Sequence, residues 1–213
     1  MKNNNKGFTL IELMIATVIL GVIILIASAA IVGLVRQFYK GINQARVQEV
    51  SRAVSDELAA GIQFSEDVPV MLGGSASNGA WCIGDQRYYY VIGKKLGGTT
   101  SNESPQVLVR DEDCAGGVTA PTGGVELMGE NMRLIAFTVD GAASSQVFTV
   151  NLTVGIGEDD LYCSEAQLPG SCSNYTLLTP AQISAASDLQ CRGGPGSQFC
   201  AVSRSSITVV KRL

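Results

Sequence analysis

The sequence predicts an α+β chain in which one long N-terminal helix, apolar in its first half and amphipathic in its second, packs on an antiparallel β-sheet head. Leu13 to Val35 is a run of 23 residues with no charge and no proline. Beyond it, apolar residues recur mostly at spacings of three or four as far as Ile62, the period of one helix face. From about Ser65 the pattern shifts to short alternating segments divided by Gly, Ser and Thr, and all six cysteines lie there.

The apolar run is long enough to cross a bilayer, which takes about 20 residues. It follows the basic leader Met1-Lys-Asn-Asn-Asn-Lys6 and precedes Arg36 and Lys40. Lys2 and Lys6 hold the leader on the cytoplasmic side. A secretory signal peptide is the competing reading, because Ala27-Ser28-Ala29 has the small-residue spacing of a signal peptidase site. Two features oppose it. Glu12 sets a costly carboxylate into what would be the apolar core, and the run continues past Ala29.

In the second half, Phe38, Ile42, Ala45, Val50, Val54, Leu58 and Ile62 form the expected apolar stripe. A helix from Thr9 to near Gln63 has some 55 residues, or about 80 Å at a rise of roughly 1.5 Å per residue. Proline is absent, so only Gly21, Gly33 and Gly41 weaken it.

The strongest strand pair is Asn131 to Val139 with Gln146 to Ile156, joined by Asp140-Gly-Ala-Ala-Ser-Ser145. Phe148, Val150, Leu152, Val154 and Ile156 alternate with Thr149, Asn151, Thr153 and Gly155, as in a strand with one buried face. Weaker strands are expected at Arg87 to Gly93, Gln106 to Asp111 and Ser206 to Lys211.

An even set of six cysteines points to an oxidising compartment. Cys82 with Cys114 is the expected first bridge, since each adjoins a strand. For the other four, a nested pattern of Cys163 with Cys200 and Cys172 with Cys191 is favoured over local bridges of Cys163 with Cys172 and Cys191 with Cys200. Leu161 to Ala201 shows little periodic hydrophobicity, so the bridges are expected to staple a loop system there.

The composition excludes several chemistries. There is no histidine, hence no Ser-His or Cys-His nucleophile and no zinc site of the commonest kind, and no cysteine pair has C-x-x-C spacing. The glycine pairs lack the frame of a phosphate loop. A net charge of −4 without a basic run argues against a nucleic-acid surface. Asp111-Glu112-Asp113 and Glu158-Asp159-Asp160 read as solvated charge clusters, with calcium binding through their carboxylates as the alternative, although neither matches an EF-hand loop. Tyr88, Tyr89 and Tyr90 beside Trp81 read as core, with a binding surface as the alternative. No enzyme and no cofactor is expected.

Lys6-Gly7-Phe8-Thr9-Leu10-Ile11-Glu12-Leu13-Met14-Ile15-Ala16 resembles the type III signal of type IV pilins and pseudopilins. This motif is highly specific, but it covers only the first thirty or so residues; beyond them the resemblance is one of architecture. It implies cleavage by a prepilin peptidase between Gly7 and Phe8, N-methylation of Phe8, and retention of the helix as anchor and filament core. In that frame Glu12 pairs with the amino terminus of a neighbouring Phe8. Read without it, Thr9 and Glu12 fit a helix capping box.

The resemblance therefore implies a leader at 1–7, a membrane and assembly helix at 8–35, its amphipathic continuation at 36–64 and a head at 65–213. The expected protein is a minor pilin-like subunit. Its expected partners are other pilin subunits, prepilin peptidase, an inner-membrane assembly platform and, before assembly, membrane lipid. Its expected location is the inner membrane with the head outside the cytoplasm, then an extracellular pilus. A type II secretion pseudopilin or DNA-uptake pilus subunit is the alternative within the family, and a secreted disulfide-bonded binding module the alternative outside it.

Overall fold

A computed structural model describes residues 9–75, 77–98, 102–142, 146–174 and 176–212. Helix α1 runs from Leu10 to Phe64. No proline lies within it, and it stops five residues before Pro69, whose ring disfavours helical backbone in the residue it follows. Compactness divides the chain into two units at Tyr39/Lys40.

Within the second unit, α1 buries Val47, Ser51, Val54, Ser55, Leu58 and Ile62. This corrects the expected stripe: Phe38 and Ile42 are exposed, as is Ala45. The buried face begins later and includes two serines. Ser55 Oγ donates to Ser205 Oγ at 2.9 Å, so a small hydroxyl lies where helix and strand come close.

The head then forms β1 (Val70–Gly74), β2 (Asn78–Ile83), β3 (Gln86–Val91), β4 (Lys95–Leu96), β5 (Glu103–Ser104), β6 (Leu108–Asp111) and β7 (Val125–Glu126). After these come β8 (Met132–Asp140), β9 (Val147–Ile156) and β10 (Tyr162–Cys163). Short helices α2 (Ser171–Asn174) and α3 (Pro180–Ala185), β11 (Gln190–Cys191) and β12 (Ala201–Val210) complete it.

These strands make two five-stranded sheets, ordered β1-β2-β3-β6-β7 and β12-β9-β8-β4-β5, and a two-stranded β10-β11 ribbon. Pairing is antiparallel except between β4 and β5. The two large sheets meet where the chain leaves β3: Ile92 bridges Leu134, and Gly93 N donates to Leu134 O at 2.7 Å. One apolar core joins α1 to both sheets, with Leu58 and Ile62 among Tyr88, Leu108, Leu134 and Leu152.

The hairpin β8-β9 follows the expected alternation only at its loop end, where Thr138 and Asp140 are exposed between buried Phe137 and Val139. At the other end Met132 to Ile135 are all buried. A second core explains this. Ile135, at a bulge between Leu134 and Ala136, packs with Tyr162, Leu178, Ile183 and Leu189 on the opposite side of the sheet. Gly93 is indispensable here. Its φ is +79°, and a Cβ placed on it would stand 2.3 Å from Ser184 Cα of α3.

Bridges join Cys82 to Cys114, Cys163 to Cys172 and Cys191 to Cys200, with Cα separations of 5.5, 5.1 and 5.7 Å. The nested pattern favoured from the sequence is therefore replaced by the local one. The register explains why. Tyr162 faces Cys191 and Cys163 faces Gln190, so the two cysteines lie on opposite faces of the β10-β11 ribbon. Cys163 bonds to α2 on one side, and Cys191 to the start of β12 on the other.

Candidate processing and assembly segment

The cleavage pair Gly7 and Phe8 lies outside the described residues. Immediately after it, Thr9 N donates to Glu12 Oε2 at 2.9 Å, Thr9 Oγ1 to the same oxygen at 2.7 Å, and Glu12 N to Thr9 Oγ1 at 3.3 Å. This is a reciprocal capping box: each side chain satisfies a backbone donor that the first helical turn leaves open. Within a single chain, the capping reading of Glu12 is the geometry present.

From Leu10 to Lys40 every side chain is exposed. The most apolar window of α1 has a mean hydropathy of 3.0 and buries nothing within the chain, so the helix is long and apolar enough to cross a membrane. Its few polar groups are satisfied locally. Thr17 Oγ1 donates to Met14 O at 2.9 Å and Ser28 Oγ to Ile24 O at 2.8 Å, so neither hydroxyl needs water. Glu12 is the only ionisable side chain from Thr9 to Val35.

The head's singled-out residues are held structurally. In the first acidic cluster, Asp111 is in a bidentate pair with Arg87, and Asp113 Oδ1 accepts from Gly116 N at 2.9 Å. Hydrogen bonding from Arg87 holds the Asp111 carboxyl below its ordinary range. In the second, Glu158 accepts from Lys95 Nζ at 2.9 Å and Asp159 pairs with Arg133. Tyr88, Tyr89 and Tyr90 are buried, and burial raises the Tyr88 phenol to about 12. They are core, as expected.

Two arginines that no sequence pattern marks are buried in the head. Arg133 is fully buried, donating Nη1 to Gly93 O at 3.2 Å and Nη2 to Gly157 O at 3.4 Å beside its bond to Asp159. Arg192 is buried too, and its Nη2 donates to Tyr162 O at 3.3 Å and Thr176 O at 2.8 Å. The only available signal was charge standing inside otherwise apolar or Cys-flanked segments.

Residues 2–28 match the family model described as the prokaryotic N-terminal methylation motif. No curated protein matches the chain, and no solved structure does. The chain thus carries the type IV prepilin signal at the start of a long apolar helix, followed by an α+β head of pilin-like architecture with three disulfides. That motif implies processing by prepilin peptidase and assembly with other pilin subunits, and the apolar helix fits membrane anchoring before assembly.

Proposed function

We propose that this protein is a minor pilin-like structural subunit, cut between Gly7 and Phe8, methylated at Phe8, and polymerised through α1 into a type IV pilus-like filament. It has no catalytic role in this reading. The observation that carries it is the wholly exposed apolar surface of α1 from Leu10 to Val35, which begins within the methylation motif. Such a surface is stable only in lipid or against other apolar helices, and a filament core supplies the second once the subunit leaves the first.

Glu12 gives the assembly its register. A carboxylate next to an apolar span is costly to bury alone, and a neighbouring Phe8 amino terminus neutralises it only when two copies meet correctly. The capping box holds Glu12 in place until then. The head stands outside the cytoplasm, where its bridges persist, and an inner-membrane platform drives extraction. A pseudopilin of a type II secretion system or a DNA-uptake pilus subunit shares every one of these steps. The size of the head and its Cys-rich C-terminal region favour the pilus.

The test is the N-terminal mass of protein recovered from membranes of cells with an active prepilin peptidase, beside Gly7→Val. A start at methylated Phe8, abolished in the variant, is expected. A start near Ala30 in both proteins overturns the subunit reading and leaves a secreted module.

A further inference from the structure

A cavity of about 520 Å³ opens in the head beside the first turns of its α1 segment. Its lining includes Lys40 and Gln44 of α1, Arg192 and Ser197 between β11 and β12, and Arg204 of β12. Among the described lining residues there are three cations and no carboxylate, in a chain whose net charge is −4. Cys191 and Cys200 also line it, so the bridge between them fixes the cavity's frame.

The two arginines are held before any ligand arrives. Arg192 is buried and its guanidinium is anchored on the carbonyls of Tyr162 and Thr176. Arg204 Nη2 donates to Leu189 O at 3.4 Å. Lys40 is exposed and adds a third charge, while Gln44 and Ser197 add neutral hydrogen-bonding groups. Two exposed cations and an anchored guanidinium in one lining, with amide and hydroxyl neighbours, suit a compact polyoxygen anion.

Sequence position says where that anion comes from. Lys40 follows Val35, the last residue of the apolar run, by five residues. At roughly 1.5 Å per helical residue this is about 7 Å, the depth of the polar headgroup layer on one side of a bilayer. We infer that this cavity is a phosphate site that takes the headgroup of an anionic phospholipid and holds the unassembled subunit at the membrane surface. The inference rests on the membrane-subunit reading above and adds to it a lipid class and the residues that select it.

The full chain in nanodiscs of equal phosphatidylglycerol and phosphatidylcholine tests it, with retained lipids counted by native mass spectrometry. Wild type is expected to retain phosphatidylglycerol over phosphatidylcholine by about tenfold, and Lys40→Gln/Arg204→Gln to lose most of that preference. Both replaced side chains are exposed, and an unchanged disulfide map and circular dichroism spectrum exclude misfolding as the cause. Equal retention by wild type and variant overturns the site. Inorganic phosphate binding to protein in phosphatidylcholine discs, without preference for phosphatidylglycerol, assigns it to a soluble phosphate and overturns the lipid source. Dimers that the double variant loses, with no retained lipid, give the cavity to the acidic surface of a second copy and overturn it likewise. A chain that starts near Ala30 and stays out of the discs overturns the subunit reading as well, which separates the two failures.

Discussion

The guanidinium of Arg133 lies over the ring of Tyr162, 4.6 Å from carbon to ring centroid, with both residues buried. The same guanidinium binds Asp159 and two backbone carbonyls, so one side chain ties β8 to the Tyr162 ribbon and to the turn after β9. Burial pushes the Tyr162 phenol up, which keeps the ring neutral and its face available to the cation.

Replacing Arg133 by Met removes the cation but leaves the Asp159 carboxylate and the carbonyls of Gly93 and Gly157 without it. Breaking a buried pair from one side costs about 3 kcal/mol. Thermal unfolding of the detergent-solubilised full chain is expected to fall by about 8 °C, by the usual scaling for a domain of this size. A change within a degree or two shows that the network contributes little net stability.

Two glycines close together in sequence are expected to respond differently to alanine. At Gly93 the positive φ and the 2.3 Å approach to Ser184 Cα force backbone to move, whereas nothing lies within 4 Å of a Cβ on Gly97. Gly93→Ala is expected to destabilise by about 2 kcal/mol or more. Gly97→Ala stays within about 0.5 kcal/mol. Paired denaturation curves read the contrast.

The Arg87–Asp111 pair gives the head an acid limb. Because the folded carboxyl of Asp111 sits below its ordinary value of 3.8, its contribution is present above that value and is lost as pH falls through the folded one. Asp111→Asn is expected to be less stable at neutral pH and to lose less between about pH 5 and pH 2. Parallel acid-unfolding slopes in the two proteins would show that Asp111 does not drive this loss.

Glu12 caps the first helical turn, and two variants separate that from the assembly role proposed for it. Thr9→Ala breaks the hydroxyl half of the capping box and leaves the charge, whereas Glu12→Leu removes the charge. Incorporation into filaments, scored by immunoblot of sheared surface fractions, is expected to survive the first and fail in the second, with membrane insertion intact in both. Equal losses would assign Glu12 to helix capping alone.

The bridge pattern is open to direct mapping. Denatured, unreduced protein cut by trypsin and by a protease specific for Glu and Asp is cleaved at Glu165, Asp188 and Arg192, so each of the last four cysteines falls in its own peptide. Peptides bearing Cys163 and Cys172 are expected to travel together, as are those bearing Cys191 and Cys200. Cross-linked Cys163 and Cys200 peptides would restore the nested pattern.

The legible parts were those where one physical signal dominates. A charge-free run marks α1, and period-two alternation marks the loop end of β8-β9 because only one sheet face is covered there. Where α3 and the ribbon cover the second face, alternation disappears and a buried arginine stands in the strand. Ser51 and Ser55 escaped an apolar count because small hydroxyls fill the buried helix face. The strands β1 and β2 carry three glycines between them and little periodicity, so nothing local announced them. The cysteine pairing depended on which face of a two-residue ribbon each side chain takes, and spacing holds no record of that. At the candidate site, the signal around Gly7 was readable in full, but the cationic cavity joins residues more than 150 positions apart.

All six cysteine sulfurs are paired within the chain. In the filament proposed above, copies would therefore share no disulfide, and their cohesion would come from contacts that water or lipid can replace. That makes assembly of the proposed filament reversible in principle, with the covalent structure of each subunit left unchanged.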